Sequence, residues 1–309
     1  MEIEIVNDAN ATLGEGPTWD AKTQTLYWVD ILEKRLHYHR ENEDGFFQMD
    51  EMLGCLAPCK DGSLILALSR NAQSSEIKEL NSELHRFASF KPVSAKLTTL
   101  ASITEPANNR FNDGKCAPAG RFLVGTMNMD EESPTGSLYS FDGQNVTPLL
   151  DGIRISNGLA WSPDYKTFYF IDTPTREVKA FDYDLSTGQI ANPRVIFSIP
   201  GALGWPDGMT SDKEGNPWIA MWGGAQVTRW NPQNGKLLEQ IALPAKNVTS
   251  CVFGGENLNE LYITSARVGL DNADLAAYGH SGSLMRVKTK VEGMPTFEFG
   301  GMSNDNALQ

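Results

Sequence analysis

The sequence is poor in cysteine and histidine and has no long apolar run. Four cysteines and four histidines occur in 309 residues, and among the cysteines only Cys55 and Cys59 lie close together. This Cys-x3-Cys pair has no second pair and no neighbouring histidine, so a zinc site is disfavoured. We interpret the thiols as buried and reduced, as expected in the cytoplasm. No segment reaches the roughly 18 apolar residues of a membrane span, and the acidic, alternating start (1–6) does not resemble a secretory signal.

Basic residues are scarce relative to acidic ones. The chain has 26 Lys and Arg against 39 Asp and Glu, a formal net charge of −13. Nucleic-acid binding requires a basic surface, so this class of function is excluded. An acidic surface mainly favours solubility. We therefore expect a small-molecule ligand and no nucleic-acid or membrane partner.

Short strand-like segments, broken by Gly, Pro, Asn and Asp, dominate the chain, which is typical of an all-β fold. Six stretches share one pattern: a small apolar strand, a polar turn, then an aromatic or β-branched strand. They are residues 16–30, 56–68, 114–126, 158–172, 208–221 and 251–264. Their starts are 40 to 58 residues apart, and a four-stranded repeat of about this length indicates a propeller blade.

We therefore predict a six-bladed β-propeller with four-stranded blades, forming a single domain over residues 1–309. Two packed β-sandwich domains are the alternative, disfavoured because the repeat phase continues unbroken through the middle of the chain. The alternating N-terminal strand is predicted to complete the last blade and so remove two exposed edges; segment 296–300, near the other end, also alternates. Segments 69–83 and 265–281 are predicted to be inserted loops or lids.

Polar residues recur at one phase of the repeat, just before the inner strand of four blades. They are Glu15, Asp113, Asn157 and Asp207, each followed by glycine. Inner strands line the channel of a propeller, so these side chains are expected to converge. Converging carboxylates repel each other unless a cation lies between them, and hard oxygen ligands favour Ca²⁺, Mg²⁺ or Mn²⁺, with Zn²⁺ also accepted. The alternative is that each residue caps a turn. This would explain a single Asp-Gly pair, but it explains less well why all four residues occur at one phase of the repeat.

Two other patterns are interpreted as structural. Trp19, Trp161, Trp218 and Trp222 recur near the repeated strands and are expected to pack between blades. Residues 212–216 resemble a calcium loop only superficially and are interpreted as a hairpin turn.

Taken together, the motifs resemble those of the gluconolactonase, regucalcin and senescence-marker-protein family over nearly the whole chain. The resemblance is carried by Leu-Gly-Glu-Gly-Pro (13–17), Leu-Tyr-Trp-Val-Asp-Ile (26–31), Arg-Phe-Asn-Asp-Gly-Lys (110–115), Gly-Arg-Phe-Leu-Val-Gly-Thr-Met (120–127), Ser-Asn-Gly-Leu-Ala-Trp-Ser-Pro-Asp (156–164), Pro-Asp-Gly-Met (206–209) and Gly-Ser-Leu-Met-Arg-Val (282–287).

The resemblance implies a propeller with one catalytic divalent metal ion. By motif match, its ligands would be Glu15, Asn157 and Asp207. The resemblance also implies substrate contacts through Arg110, Asn112 and Asp130. The register at Asp130 is open because Glu131 and Glu132 follow it. Two departures from the family are the polar segment 69–83 and Trp205, which is placed to narrow the mouth of the site.

The function implied is metal-dependent hydrolysis of a sugar (aldono-) lactone to the sugar acid. The metal would act as Lewis acid, Asp207 as the base for water, and Arg110 with Asn112 as hydrogen-bonding groups for the sugar. Arg110 in a surface ion pair is the alternative for that residue. Two other functions remain open: a non-enzymatic calcium-binding propeller, and an aryl esterase or phosphotriesterase of the same architecture.

Overall fold

The computed structural model describes residues 2–41, 43–70 and 84–300. Its strands form six four-stranded antiparallel sheets, which we number blades 1 to 6. The innermost strand of each blade contacts the innermost strand of the next, and the sixth contacts the first. This ring confirms the predicted six-bladed β-propeller.

The first three blades follow one another along the chain after strand β1, Ile3–Asn7. Blade 1 contains β2 to β5, which are Gly14–Asp20, Thr25–Asp30, Arg35–Arg40 and Glu43–Gln48. Blade 2 contains β6 to β9, which are Met52–Pro58, Leu64–Ser69, His85–Lys91 and Lys96–Ile103. Blade 3 contains β10 to β13, which are Asn109–Cys116, Phe122–Asn128, Gly136–Phe141 and Val146–Ile153.

The remaining blades complete the ring in the same order. Blade 4 contains β14 to β17, which are Ser156–Trp161, Thr167–Asp172, Glu177–Tyr183 and Ile190–Ser198. Blade 5 contains β18 to β21, which are Trp205–Ser211, Pro217–Trp222, Gln226–Asn231 and Lys236–Ala242. Blade 6 contains β22 to β24, which are Asn247–Gly254, Glu260–Ala266 and Leu284–Lys288. Helix α1 is Asn272–Ala277, and 3₁₀ helices occur at Pro92–Ser94, Thr173–Thr175 and Gly201–Leu203.

The N-terminal strand closes the ring, as predicted. β1 pairs antiparallel with β24, with Ile3 opposite Val287, and so becomes the fourth strand of blade 6. Such closure leaves no free strand edge between the first and last blades.

The alternating segment 296–300 plays a different part from β1. It forms no named strand, and its Phe299 makes a single parallel bridge to Cys59 of blade 2. Phe297 and Phe299 pack against apolar side chains of blades 2 and 3, whereas Glu298 forms an ion pair with Lys22 at 2.7 Å. The alternation therefore reflects contact with the underside of the ring on one face and solvent on the other.

Burial follows the distance of each strand from the axis. β2 and β6 are buried along their whole length, whereas the outer strand β5 alternates between exposed and half-buried positions. The four cysteines all lie in the described residues and are free and buried, as expected. Of the four tryptophans expected in the core, three are buried there: Trp19, Trp161 and Trp218.

The connection predicted over 265–281 is an insertion between β23 and β24 that carries helix α1. Most of the other predicted insertion, residues 71–83, lies outside the described residues. Within the part of the chain that is described, no helix is long and apolar enough to cross a membrane.

The turn at 212–216 is a hairpin between β18 and β19, and a buried carboxylate organises it. Asp212 is 0% exposed and accepts hydrogen bonds from the backbone N–H groups of Glu214 and Asn216, both at 3.0 Å. It also accepts from Trp218 Nε1 at 2.9 Å and from Arg229 Nε at 2.7 Å. With four donors from the protein, this carboxylate is a structural group, in agreement with the predicted hairpin.

Replacing Asp212 by alanine is expected to destabilise the protein strongly. The backbone N–H groups of Glu214 and Asn216 and Nε1–H of Trp218 would lose their acceptor, and each unsatisfied buried donor costs about 1–3 kcal/mol. Glu214→Ala is the matched control, because this side chain is 63% exposed and also contacts Arg229, and a surface ion pair contributes about 0–1 kcal/mol. Urea unfolding followed by tryptophan fluorescence measures both variants. Equal effects of the two substitutions would contradict this assignment.

Candidate metal centre

All six inner strands break register with their second strands at one level of the channel. The breaks lie between Glu15 and Thr18, Leu53 and Cys55, Phe111 and Gly114, Asn157 and Leu159, Pro206 and Met209, and Val248 and Ser250. Such bulges turn a side chain out of the regular alternation of a strand. The polar phase seen in the sequence is therefore a ring of bulges.

Two aspartates hold the segments that lead into the strands of blades 1 and 4 that carry Glu15 and Asn157. The Asp30 carboxylate accepts from the backbone N–H of Leu13 at 3.0 Å. The equivalent Asp172 accepts from the backbone N–H of Ile155 at 3.0 Å. Each aspartate ends the second strand of its blade, which explains why the repeated strand motifs finish in Asp. The backbone just ahead of Glu15 and of Asn157 is thereby fixed.

A cavity of about 740 Å³ opens at this level of the channel. Five of the six predicted site residues line it: Glu15, Arg110, Asn112, Asn157 and Asp207. The structure thus brings together side chains that lie far apart in the sequence.

The sixth predicted residue, Asp130, does not lie in the cavity wall. Its carboxylate accepts a hydrogen bond from Asn108 Nδ2 at 2.7 Å, and the next residue, Glu131, lines the cavity instead. Glu131 has a left-handed backbone with φ 59°. The local sequence did not determine which of the three adjacent acidic residues, Asp130, Glu131 or Glu132, faces the cavity.

The carboxyl groups at the axis shift each other's protonation. Burial and, next, the charge of Asp113 raise the pKa of Glu15 from its ordinary 4.5 to about 8. Burial, followed by the charges of Glu15 and Asp113, raises the pKa of Asp207 well above its ordinary value. Burial also raises the pKa of Asp113, opposed by the nearby Lys115. Without a cation, the buried acids therefore favour their neutral forms.

The donor set fits a divalent cation. Asp207 Oδ1 is buried and has no hydrogen-bond partner, which is uncommon for a carboxylate oxygen in a protein interior. Glu15 Oε2 accepts only from the backbone of Gly16 at 2.9 Å. Among the described residues, no cluster of three or more His, Cys, Asp or Glu side chains is arranged around a metal position. A cation held here would therefore need an oxygen donor of another residue type, and Asn157 lines the same cavity.

Arg110 belongs to the cavity wall and not to a surface ion pair. It is buried, and its Nη1 donates to the Phe111 carbonyl at 3.0 Å and to Asn112 Oδ1 at 2.6 Å. Burial lowers the pKa of Arg110, and the charges of Glu15 and Glu131 oppose this shift. The Arg110 guanidinium thus lies near Glu15 and Glu131 and offers hydrogen-bond donors to the cavity.

Apolar side chains from all six blades surround the entrance of the cavity. They are Leu13 and Leu32, Met52, Met127 and Met129, Ile155 and Pro174, Trp205 and Trp222, and Val268. Trp205 is 42% exposed, and the guanidinium carbon of Arg176 lies 3.5 Å from the centre of its ring. Trp205 thus lines the cavity from a partly exposed position, and Trp222, which was expected in the core, lines the cavity as well.

Sequence reasoning missed further groups in the wall. Arg154 lines the cavity, and its Nη2 donates to the carbonyl of Glu131 at 2.8 Å. Thr173 also lines it and accepts a hydrogen bond from Asn157 Nδ2 at 2.8 Å. Both residues adjoin repeated elements, Arg154 just ahead of β14 and Thr173 just after Asp172. Their positions next to repeated strands are the feature of the sequence from which they could have been identified.

The described geometry agrees with the similarity of the chain to known proteins. A family profile described as SMP-30/Gluconolactonase/LRE-like region matches residues 13–267. The chain belongs to this family.

Individual relatives cover almost the whole chain. Regucalcin of Danio rerio is 36% identical over 97% of this chain and 99% of its own length. The putative sugar lactone lactonase YvrE of Bacillus subtilis (strain 168) is 33% identical over the same shares, 97% and 99%. The crystal structure of a calcium-binding protein, regucalcin, from Agrobacterium tumefaciens strain C58 superposes with a TM-score of 0.86 at 28% identity, covering 96% of both chains.

The stability of the metal-free protein is expected to fall as pH rises from about 5 to 8. The folded protein holds the Glu15 proton up to about pH 8, whereas an ordinary glutamate releases it near 4.5. The folded state therefore binds more protons in this interval, and its free energy of unfolding decreases with pH. Cation binding displaces that proton, so added metal should raise the melting temperature more at pH 8 than at pH 5.5.

Differential scanning fluorimetry with and without chelator measures this effect. Glu15→Gln is the control, because a neutral side chain at this position removes the contribution of Glu15 to the pH dependence of the metal-free protein. Identical pH profiles of the metal-free wild type and Glu15→Gln would contradict the raised pKa.

Proposed function

We propose that the protein hydrolyses a sugar lactone to the sugar acid and that one divalent metal ion is required. The observation that carries the proposal is the unpaired buried oxygen of Asp207 in a cavity that also contains Glu15, Asn157 and the guanidinium of Arg110. Support comes from the names of two relatives, one a putative sugar lactone lactonase and the other a calcium-binding regucalcin.

Glu15, Asn157 and Asp207 would hold the cation. Asn157 Oδ1 accepts one hydrogen bond, from Asn112 Nδ2 at 2.9 Å, which leaves its second lone pair for a metal. When bound, a divalent cation acts as a Lewis acid that polarises the lactone carbonyl. Oxygen donors without His or Cys suit Ca²⁺, Mg²⁺ or Mn²⁺, and Zn²⁺ also accepts carboxylate oxygens.

Asp207 is the proposed general base. Burial and, next, the charges of Glu15 and Asp113 raise the pKa of Asp207, and the positive charge of a bound cation would oppose this shift and favour the ionised form. The Asp207 carboxylate, whose Oδ1 has no partner in the protein, would then take a proton from the attacking water. The water oxygen bonds to the carbonyl carbon, the ring C–O bond breaks, and the proton passes to the leaving ring oxygen. A base positioned in this way contributes about 10²–10⁴-fold.

Three residues of the cavity wall are proposed to orient the sugar. Arg110 can donate to substrate hydroxyls or to a substrate carboxylate, because a guanidinium carries five N–H donors. Asn112 already uses both hydrogens of Nδ2, on the carbonyl of Ser156 at 2.8 Å and on Asn157. It therefore contacts substrate only through the free lone pair of Oδ1. Glu131 is placed to accept from a sugar hydroxyl.

A second candidate, hydrolysis of aryl esters, is favoured by one observation. The apolar residues at the entrance include the rings of Trp205 and Trp222, and such a surface also accommodates an aromatic leaving group. A non-enzymatic calcium-binding protein would need the cation ligands but not the buried Arg110 beside them.

Chelator-treated protein is expected to lose lactonase activity and to recover it on addition of Mn²⁺, Zn²⁺ or Ca²⁺. A pH-indicator assay with a panel of aldonolactones, aryl esters and organophosphates measures turnover and compares the candidate functions in one format. Full turnover by the chelated protein would exclude the metal-dependent mechanism. Absence of turnover on every substrate, with metal binding intact, would favour the non-enzymatic alternative.

Asp207→Asn is expected to lower kcat by about 10²-fold or more, because the base is lost. Asp113→Asn is the matched control: this aspartate is also buried near the axis but does not line the cavity, so its kcat should stay within about tenfold of the wild type. Both variants are compared at saturating metal, with folding checked by circular dichroism. An Asp207→Asn enzyme as active as Asp113→Asn would remove Asp207 from the role of base.

A further inference from the structure

A chain of hydrogen bonds runs along the wall of the cavity from blade 3 to blade 5. Arg110 Nη1 donates to Asn112 Oδ1 at 2.6 Å, and Asn112 Nδ2 donates to Asn157 Oδ1 at 2.9 Å. Asn157 Nδ2 then donates to Thr173 Oγ1 at 2.8 Å, and Thr173 Oγ1 donates to the Pro206 carbonyl at 2.8 Å. The chain therefore passes through one proposed ligand, Asn157, and ends at the residue before another, Asp207.

The chemistry of its two ends gives this chain one direction. A guanidinium can only donate hydrogen bonds, and a backbone carbonyl can only accept them. The single hydroxyl hydrogen of Thr173 is used on the Pro206 carbonyl, so its oxygen must accept from Asn157. The nitrogen of the Asn157 amide consequently faces Thr173, and its oxygen faces Asn112 and the cavity.

We propose that Thr173 is a positioning residue that holds the oxygen of the Asn157 amide towards the metal. The two ends of a carboxamide have nearly the same size, so packing alone does not select between them. The reversed amide would direct an N–H₂ group at a cation, which it cannot coordinate. This inference rests on the proposed metal centre and adds to it the group that sets the ligand atom.

The surroundings of Thr173 suit such a role. The residue is buried and begins the 3₁₀ helix Thr173–Thr175, and its backbone N–H donates to the carbonyl of Ile155 at 3.2 Å. A β-branched side chain has few χ1 rotamers, and Pro174 restricts the backbone that follows. The hydroxyl is thus held on a rigid segment between the strands that carry Asn157 and Asp207.

The proposal predicts a specific loss of metal affinity when the hydroxyl is removed. Thr173→Val keeps the shape of the side chain but removes the acceptor, and we expect the Kd for metal to rise about ten- to hundredfold. Thr173→Ser keeps the hydroxyl and should remain within about threefold of the wild type. Isothermal titration of chelator-treated protein with Ca²⁺, Mn²⁺ and Zn²⁺ in separate experiments measures these values without any substrate.

A second protein background, Asn157→Asp, separates an effect of Thr173 on the orientation of the side chain at position 157 from an effect on packing. Asn157→Asp has oxygen at both ends of the side chain, so the orientation that Thr173 imposes no longer matters. Adding Thr173→Val to Asn157→Asp should therefore change the Kd by less than about threefold. The melting temperature of each metal-free variant shows whether it folds, and Thr173→Ala, which also removes the hydroxyl, takes the place of Thr173→Val if that variant does not fold.

Two results would overturn the inference while leaving the proposed metal centre intact. One is an unchanged Kd in Thr173→Val. The other is a rise in Kd that is equally large in the wild-type and Asn157→Asp backgrounds. A wild-type protein that binds none of the three cations would overturn the metal centre as well. If the metal-loaded wild type hydrolyses no lactone but the Kd values follow the expected pattern, the proposed reaction is overturned and the role of Thr173 is supported.

Discussion

The repulsion between carboxyl groups buried around the channel axis is the constraint on which the rest of the site depends. Burial raises the pKa of Glu15, Asp113 and Asp207. The charge of Asp113 adds to the shift of Glu15, and the charges of Glu15 and Asp113 add to that of Asp207. A buried ionised carboxylate without a partner is so costly that it normally takes up a proton. The fold keeps these acids together because each is attached to a different blade of a closed ring, and no local movement of one strand separates all three. A divalent cation bound between them, as proposed, would relieve the repulsion.

The two ends of the channel are built differently, and this difference places the chemistry. At the start of the inner strands the bulges direct polar side chains into a cavity with an apolar entrance. At the other end, segment 293–300 crosses the ring and bonds to several blades, for example through Met294 N–H to the Ser211 carbonyl at 2.9 Å and Gly300 N–H to the Gly120 carbonyl at 3.0 Å. The cavity with the acids is therefore the open end.

The repeat allowed much of this architecture to be predicted from the sequence. The inner strands of a propeller share one axis, so a polar phase in the sequence becomes a cluster in space, and the convergence of Glu15, Asn157 and Asp207 could be predicted. The repeat gave no information outside the blades. Asp130 was assigned by resemblance with its register open, and its neighbour Glu131 lines the cavity. The alternation of segment 296–300 could not show that Phe297 and Phe299 pack against blades 2 and 3.

The sequence by itself determined the number of blades, the closing strand and the chemical type of the side chains at the axis, because spacing and residue type carry this information directly. The tertiary structure alone decided which atoms face the cavity. The direction of the hydrogen-bond chain from Arg110 through Asn157 and Thr173 to Pro206 depends on contacts between three blades. No local pattern specifies such contacts, because the orientation of an amide is set by the donors and acceptors around it and not by its neighbours in the chain.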